Sequence, residues 1–170
     1  ANDVLAAYPA ESDADAQDAW NALRTDMWFS LPARKQARWL EAAGRQSYLY
    51  CLSRIPPWRG GKIMGAHHGA EIAYVFGGGV RCGSFDPDGA QDPLDRALGD
   101  AIMSYWVNFA ATGDPNGDGL PDWKAYSSSV EDYQHFGDTA AADTALFRER
   151  LDVLEAALAH HSGKSSIYGD

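Results

Sequence analysis

Residues 65–77 read Gly-Ala-His-His-Gly-Ala-Glu-Ile-Ala-Tyr-Val-Phe-Gly. This stretch places two histidines in a glycine-flanked loop, after an apolar run that predicts a strand and before a short helical stretch. Such a loop presents an imidazole at the edge of a sheet, where the ring can serve as general base and then as general acid. The glycines permit backbone geometry and close approach that bulkier residues would block. Spacing alone is a weak indication, because most loop histidines are solvated or structural.

The elements predicted around this loop are mostly helical. Residues 47–52 predict a buried strand, and a second short strand is predicted near residues 133–136. Helices are predicted after the cap residue Ser12, over about 25–44 with Pro32 in a first turn, over 93–112, and over about 144–160. Apolar residues at helical spacing mark one face of these helices, and they include Trp20, Trp39, Leu94 and Phe109. On the last helix, Phe147 belongs to a stripe that is predicted to be buried. Residues 56–64 are predicted to form a loop, and residues 77–79 and 86–89 to form turns.

This inventory of elements is incomplete as a fold. Two isolated strands do not make a stable sheet, so the chain is expected to complete a sheet that is built elsewhere. The chain has no linker long enough to divide it into two domains, and residues 1–170 are therefore assigned to a single domain. Residues 162–170 are predicted to be a frayed polar tail.

The residue identities in several stretches add a family resemblance. Residues 68–77, beginning His-Gly-Ala-Glu, resemble the catalytic-histidine motif of the type-B carboxylesterase and cholinesterase family. Residues 105–117, from Tyr-Trp-Val-Asn-Phe-Ala to Gly-Asp-Pro-Asn-Gly, resemble the closing signature of that family, and residues 136–138 fit its last strand. The match runs in order over about residues 5–138. It implies an α/β fold in which this chain is the C-terminal portion of an α/β-hydrolase, mostly helices plus the last strands of a central sheet.

The resemblance also assigns roles to residues of the loop. His68 immediately precedes the glycine of the motif, which makes it the catalytic imidazole. The position of His67 is variable in the family, so His67 is either a pocket-wall residue or simply exposed. Glu71 is expected to hold the loop through hydrogen bonds rather than to take protons. The candidate partners of its carboxylate are Arg54, Arg59 and Lys62.

The rest of the catalytic machinery is not found in the chain. The nucleophile of the family lies in a Gly-x-Ser-x-Gly elbow, and no such pentapeptide occurs here. The triad acid and the oxyanion-hole glycines are likewise expected outside these residues, and a triad acts as one unit. The resemblance therefore implies a serine carboxylic ester hydrolase without a cofactor. Its His68 works with an N-terminal segment of the same enzyme on a small-molecule ester, and the 170 residues alone are inactive. The chain begins at Ala1 without a methionine or a signal-like run, so a start in mid-sequence or after processing is expected.

Composition argues against several other classes of protein. The net charge is −10, and residues 63–170 carry 6 basic and 17 acidic side chains, so the surface repels a nucleic-acid backbone. The longest nearly apolar run, residues 101–111, is shorter than the roughly 18 residues that a membrane span needs. Cys51 and Cys82 allow one disulfide at most and leave the compartment open; the resemblance favours a secreted or periplasmic location.

Metal binding is also disfavoured. Residues 114–119 match the opening of a calcium loop, but position twelve of that loop is Ala125, where a glutamate is needed. The paired histidines at 67–68 and 160–161 lack an accompanying set of zinc ligands.

Two other functions stay open beside the esterase. The first is a catalytically inactive adhesion or scaffold module of the same family, against which the retention of His68 and Glu71 argues. The second is a stand-alone binding domain, which would unfold cooperatively as a monomer. The esterase prediction requires that the ring of His68 face a cleft, rather than bulk solvent or close-packed aliphatic side chains.

Overall fold

The computed structural model describes residues 2–57, 59–76 and 92–162. The helices are α1 (Asn2–Ala7), α2 (Asp13–Thr25), a π-helix (Asp26–Ser30), α3 (Leu31–Ala42), α4 (Arg59–Met64), α5 (Ile72–Val75), α6 (Pro93–Thr112) and α7 (Arg148–Ser162). The strands are β1 (Tyr50–Leu52), β2 (Asp132–Phe136) and β3 (Ala140–Thr144). The turns predicted at residues 77–79 and 86–89, and the tail from 163 on, lie outside the described residues.

The chain forms two compact units. The first unit, the helical unit, contains the residues up to 45 and those from 145 on, and the second, the sheet unit, contains Gln46–Thr144. The predicted catalytic loop lies wholly in the sheet unit.

The sheet unit is built on three strands in the order β1-β2-β3. The central strand, β2, is parallel to β1, with Cys51 opposite His135, and antiparallel to β3, with Gln134 opposite Ala142. The strand predicted at 47–52 is present but shorter, and it is half-exposed rather than buried. The sequence prediction missed β3, because its Ala-Ala-Ala-Asp-Thr residues carry neither the β-branched content nor the alternation that marks a strand.

The core of the sheet unit packs α6 against β2. Ile102 and Tyr105 on α6 are fully buried, and they lie in one cluster with Phe136 and Trp123. The Trp123 ring stands edge-on to the Tyr105 ring at 5.2 Å, and its Nε1 donates to the carbonyl of Leu49 at 2.9 Å. Because this hydrogen bond satisfies the polar atom of the indole, the aromatic cluster can be buried at little cost.

Helix α6 begins and ends where the sequence predicts. The carboxylate of Asp92 caps its start by accepting from the backbone N–H of Leu94 at 2.7 Å. Gly113 ends it in the left-handed conformation (φ +81°), which favours glycine. Leu94 and Phe109 belong to the predicted apolar stripe of this helix, and both are exposed.

In the helical unit, the predicted starts of α2 and α3 are confirmed. The hydroxyl of Ser12 caps α2 by accepting from the backbone N–H of Asp15 at 3.2 Å. Pro32 lies in the first turn of α3, as predicted. Leu31, Leu151 and Leu154 form the buried cluster of this unit.

Two predictions for the helical unit are wrong. Phe147 is exposed instead of buried, and α7 begins at Arg148 rather than near 144, where β3 ends. Trp20 and Trp39, which mark the apolar faces of their helices, are exposed as well. The apolar period showed which residues share a helix face. It carries no information on whether that face meets a neighbour.

A buried carboxylate links three segments of the helical unit. Asp26, at the start of the π-helix, is fully buried, and its Oδ2 accepts from the hydroxyl of Tyr8 at 2.9 Å and from Nε of Arg150 at 2.8 Å. The Arg150 guanidinium also lies over the ring of Phe147, 4.1 Å from its centroid. These contacts compensate the charge that burial of Asp26 would otherwise leave unpaired.

We expect the free energy of unfolding to fall as the pH rises from about 10 towards about 12. Burial, together with the hydrogen bond to Asp26, raises the pKa of Tyr8 to about 12, and burial raises the pKa of Tyr105 to about 12. In this range the unfolded chain releases phenolic protons that the folded chain retains, so alkali favours the unfolded state. Urea unfolding at successive pH values measures the slope. The Tyr8→Phe variant should show a smaller fall, and an equal fall would contradict the assignment.

Candidate active site

The predicted catalytic loop forms a turn, here called the histidine turn (residues 67–71), that leads directly into α5. The backbone N–H of Ala70 donates to the carbonyl of His67 at 3.0 Å, and that of Tyr74 to the carbonyl of Glu71 at 2.9 Å. Gly69 has φ +86°, a conformation that a side chain would strain. The predicted helix behind the loop is therefore confirmed, and its first backbone hydrogen bonds are made by the turn itself. Residues 59–64, predicted to be a loop, form α4 instead.

Both histidines of the turn have exposed side chains. Nδ1 of His67 lies 3.3 Å from the carbonyl oxygen of Gly65, which directs that ring back towards its own loop. The catalytic role predicted for His68 and the pocket-wall role predicted for His67 stay predictions.

Glu71 is half-buried and directly precedes α5. Within the described residues, no side-chain hydrogen bond or ion pair reaches its carboxylate. The charge of Glu71 acts on Tyr50 in β1. The pKa of Tyr50 is raised, first by burial and then by this negative charge. The predicted role of Glu71 in holding the loop stays a prediction, while one candidate partner, Arg54, binds other carboxylates.

The structure shows instead a buried cluster, the Arg54 cluster, which is centred on Arg54 just after β1 and includes Asp95 and Tyr74. Oδ1 of Asp95 accepts from Nε of Arg54 at 2.7 Å and from the hydroxyl of Tyr74 at 2.9 Å. Nη1 of Arg54 donates to Oδ1 of Asp138 at 2.7 Å, and its Nη2 lies 3.6 Å from Oδ1 of Asp92. The cluster joins the end of β1, the first turn of α6, the end of β2 and helix α5.

The electrostatics of the cluster follow from its burial. The side chains of Arg54 and Asp95 are 8% and 2% exposed, whereas that of Asp138 is 75% exposed. Hydrogen bonding to Asp95 raises the pKa of Arg54, and burial together with the Asp95 hydrogen bond raises the pKa of Tyr74. Arginine and tyrosine therefore stay protonated at neutral pH and together stabilise one buried carboxylate.

Sequence reasoning missed this cluster because its members are far apart in the chain. Asp95 lies three positions after the cap residue Asp92, where an acidic residue is explained by the helix dipole alone. Arg54 is predicted from the sequence as a candidate partner of Glu71, not of Asp95. No local sequence pattern links either residue to Tyr74. The three residues can be recognised as a cluster only after the fold has brought them together.

An aromatic cleft lies in the same unit. Its volume is about 180 Å³, and its lining is mostly aromatic rings: Tyr48, Tyr50, Tyr105, Trp106, Phe109, Pro115 and Trp123. The rings of Tyr50 and Trp106 meet at a centroid distance of 5.2 Å. This lining suits an apolar group rather than an ion.

In the loop at residues 114–119, which resembles the opening of a calcium site, side-chain oxygens accept hydrogen bonds from groups of the chain itself. Oδ1 of Asp114 accepts from the backbone N–H and the side-chain amide of Asn116, at 2.9 and 2.8 Å. Oδ1 of Asn116 in turn accepts from the backbone N–H of Trp123 at 2.7 Å. In the described ranges, no group of three or more histidine, cysteine, aspartate or glutamate residues is arranged to hold a metal ion. No helix among those residues is long and apolar enough to cross a membrane.

Comparison with solved structures identifies the fold. The chain superimposes on the carboxylesterase EST55 of Geobacillus stearothermophilus with a TM-score of 0.72 and 23% identity, covering 90% of this chain and 31% of that one. An esterase from Clostridium hathewayi, described as able to hydrolyse aliphatic aromatic polyesters, gives a TM-score of 0.64 at 24% identity, covering 91% of this chain and 28% of that one. The predicted α/β class is confirmed: the chain has part of an α/β-hydrolase fold.

The sequence comparisons then give the family. The carboxylesterase family profile matches residues 2–154, so the chain belongs to the carboxylesterase family. Carboxylesterase 5A of Canis lupus familiaris is 36% identical over 131 residues, which are 73% of this chain and 22% of that protein. Liver carboxylesterase 1 of Oryctolagus cuniculus is 33% identical over 129 residues, 74% of this chain and 22% of that protein. The chain therefore spans less than a third of the length of the proteins that it matches.

Proposed function

We propose that this chain is the C-terminal segment of a serine carboxylic ester hydrolase and that His68 is its catalytic imidazole. The observation that carries the proposal is the position of His68 in a chain of the carboxylesterase family. The turn that carries it is hydrogen-bonded into α5, so the backbone at His68 is held in place. An imidazole can serve as general base and then as general acid.

The reaction follows from that proton transfer. The His68 ring takes the proton of a serine hydroxyl as the serine oxygen attacks the ester carbonyl, and it then delivers this proton to the leaving alcohol. In the second half, the ring takes a proton from water, which attacks the acyl-enzyme, and returns it to the serine oxygen as the acid is released. No metal or organic cofactor takes part in these steps.

The serine, the triad acid and the oxyanion hole belong, in this proposal, to an N-terminal segment of the same enzyme. Two observations support this partner. The matched proteins are more than three times as long as the part that corresponds to this chain. In the described residues, β1 pairs only with β2, so its other edge is free to receive a further strand of a larger sheet.

The exposure of His68 sets a condition on the proposal. A general base that faced bulk solvent in the complete enzyme would contradict the role, because the reacting hydroxyl must lie within hydrogen-bond reach. The side chain of His68 is exposed among the residues that the structure describes. The proposal therefore requires the remaining segment to cover His68 and to form a cleft beside it. In that cleft, His67 would line the wall and Glu71 would hold the turn.

A serine-directed fluorophosphonate tests the proposed function. The complete enzyme, with both segments, should become labelled, and the labelled peptide should lie outside the 170 residues. The 170-residue chain alone, as the matched control, should remain unlabelled and should not hydrolyse a p-nitrophenyl ester. A complete protein that fails to react would contradict the esterase and favour the inactive adhesion or scaffold module.

A further inference from the structure

The buried side chain of Tyr74 attaches the segment that follows the histidine turn to the core of the sheet unit. The turn and α5 share backbone hydrogen bonds, including those from Tyr74 and Val75 to the carbonyl of Glu71, both at 2.9 Å. Tyr74 is 3% exposed, and its ring belongs to the core cluster with Leu98 and Ile102. The position of Tyr74 therefore constrains where the turn, and His68 on it, can lie.

The hydroxyl of Tyr74 connects this short helix to the rest of the sheet unit. It donates to Asp95 on α6, and the same carboxylate oxygen accepts from Arg54 beside β1. Helix α5 has only four residues, too few to hold its own position by helix formation alone. The tertiary contacts of Tyr74 thus supply the anchoring that the helix itself lacks.

The Arg54 cluster is not placed to contact a reacting group directly. Tyr74, Asp95 and Arg54 are all buried, so none of them is placed to contact an ester. The other oxygen of Asp95, Oδ2, is buried and has no hydrogen-bond partner in the described part of the chain. Among the described residues, the Asp95 carboxylate therefore accepts hydrogen bonds on Oδ1 only. Removal of the Tyr74 hydroxyl would leave Arg54 as its one hydrogen-bond donor among those residues.

We propose that Tyr74 is a positioning residue, which fixes the orientation of the histidine turn, and hence of His68, through its hydrogen bond to the Asp95–Arg54 pair. This inference rests on the proposed function, because positioning matters to the reaction only if His68 is the catalytic imidazole. The effect belongs to kcat rather than to KM, since a displaced base slows proton transfer without removing a contact to the substrate.

The test uses Tyr74→Phe, which removes the hydroxyl and keeps the ring in the core. Tyr133→Phe is the matched control: Tyr133 is also buried, and its hydroxyl also donates to a carboxylate, Oδ2 of Asp143, at 2.7 Å, but it lies on β2 and not beside the turn. In the complete enzyme, we expect Tyr74→Phe to lower kcat by about 10- to 100-fold with KM unchanged, and Tyr133→Phe to leave both unchanged. Equal losses in the two variants, or an unchanged kcat in Tyr74→Phe, would overturn the positioning role.

A second measurement does not depend on catalysis. Amide hydrogen exchange in the 170-residue chain should become faster at residues 70–75 in Tyr74→Phe and stay unchanged there in Tyr133→Phe. If the complete wild-type enzyme hydrolyses no ester, the proposed function fails, and exchange alone then decides whether Tyr74 anchors the turn. If exchange at residues 70–75 is the same in both variants, the anchoring is wrong even in an active enzyme.

Discussion

Replacing His68 with alanine in the complete enzyme should lower kcat by a factor on the order of 10⁴ to 10⁶. In the proposed mechanism, loss of the imidazole leaves no group to take the proton of the attacking serine or to return it to the leaving alcohol, so both halves of the reaction are slowed. KM should change little, because the ring binds the transition state rather than the ground-state ester. Initial rates with a p-nitrophenyl ester, over a range of concentrations, separate the two constants.

His67→Ala provides the matched control for this prediction. His67 is the adjacent residue, has the same side chain and is also exposed. Its removal therefore tests whether the loss of either histidine of the turn lowers kcat equally. We expect the His67→Ala enzyme to retain kcat within about tenfold of wild type, because His67, whether it lines the pocket or is simply exposed, contributes at most a contact. A large loss in His67→Ala together with an active His68→Ala enzyme would reverse the assignment of the two histidines.

Replacing Arg54 with methionine should lower the free energy of unfolding by about 3–5 kcal/mol. Arg54 and Asp95 are both buried, and the substitution leaves the Asp95 carboxylate with only the Tyr74 hydroxyl as a donor among the described residues. An uncompensated buried charge is among the most destabilising single changes in a folded protein. The urea dependence of amide exchange at Ile102 and Tyr105 on α6 measures the loss within the sheet unit.

Two further variants isolate the cause of that loss. Arg96→Met removes an exposed arginine from the same turn of α6 as Asp95 and should change the free energy of unfolding by less than about 0.5 kcal/mol. Adding Asp95→Leu to Arg54→Met removes the stranded charge and should recover part of the loss. If Arg96→Met were as destabilising as Arg54→Met, or if the double variant were no more stable than Arg54→Met, the loss would not come from the buried pair.

Local signals in the sequence predicted where several helices begin or end. Helix α6 begins and ends as expected, because a capping aspartate, a first-turn proline and a terminal glycine each act on the backbone within a few residues. The Ser12 cap and Pro32 succeeded for the same reason. The family and the α/β class were also within reach of the sequence, because residue identities over more than a hundred positions carry that information.

The position and surroundings of side chains depended on the fold instead. Trp20 and Trp39 lie on apolar stripes and yet are exposed, because periodicity identifies a face but not its neighbour. Strand β3 exists because β2 offers it a partner, and its own residues give no strand signal.

The amino-acid sequence by itself thus specified the glycine-flanked turn that carries His68, because the backbone preferences of these residues are local. Which groups hold that turn was settled in three dimensions. Arg54, Asp95 and Tyr74 are separated by up to 41 positions along the chain, and their hydrogen bonds exist only where β1, α5 and α6 converge. Burial makes those bonds necessary, because a buried carboxylate must find its donors wherever packing brings them.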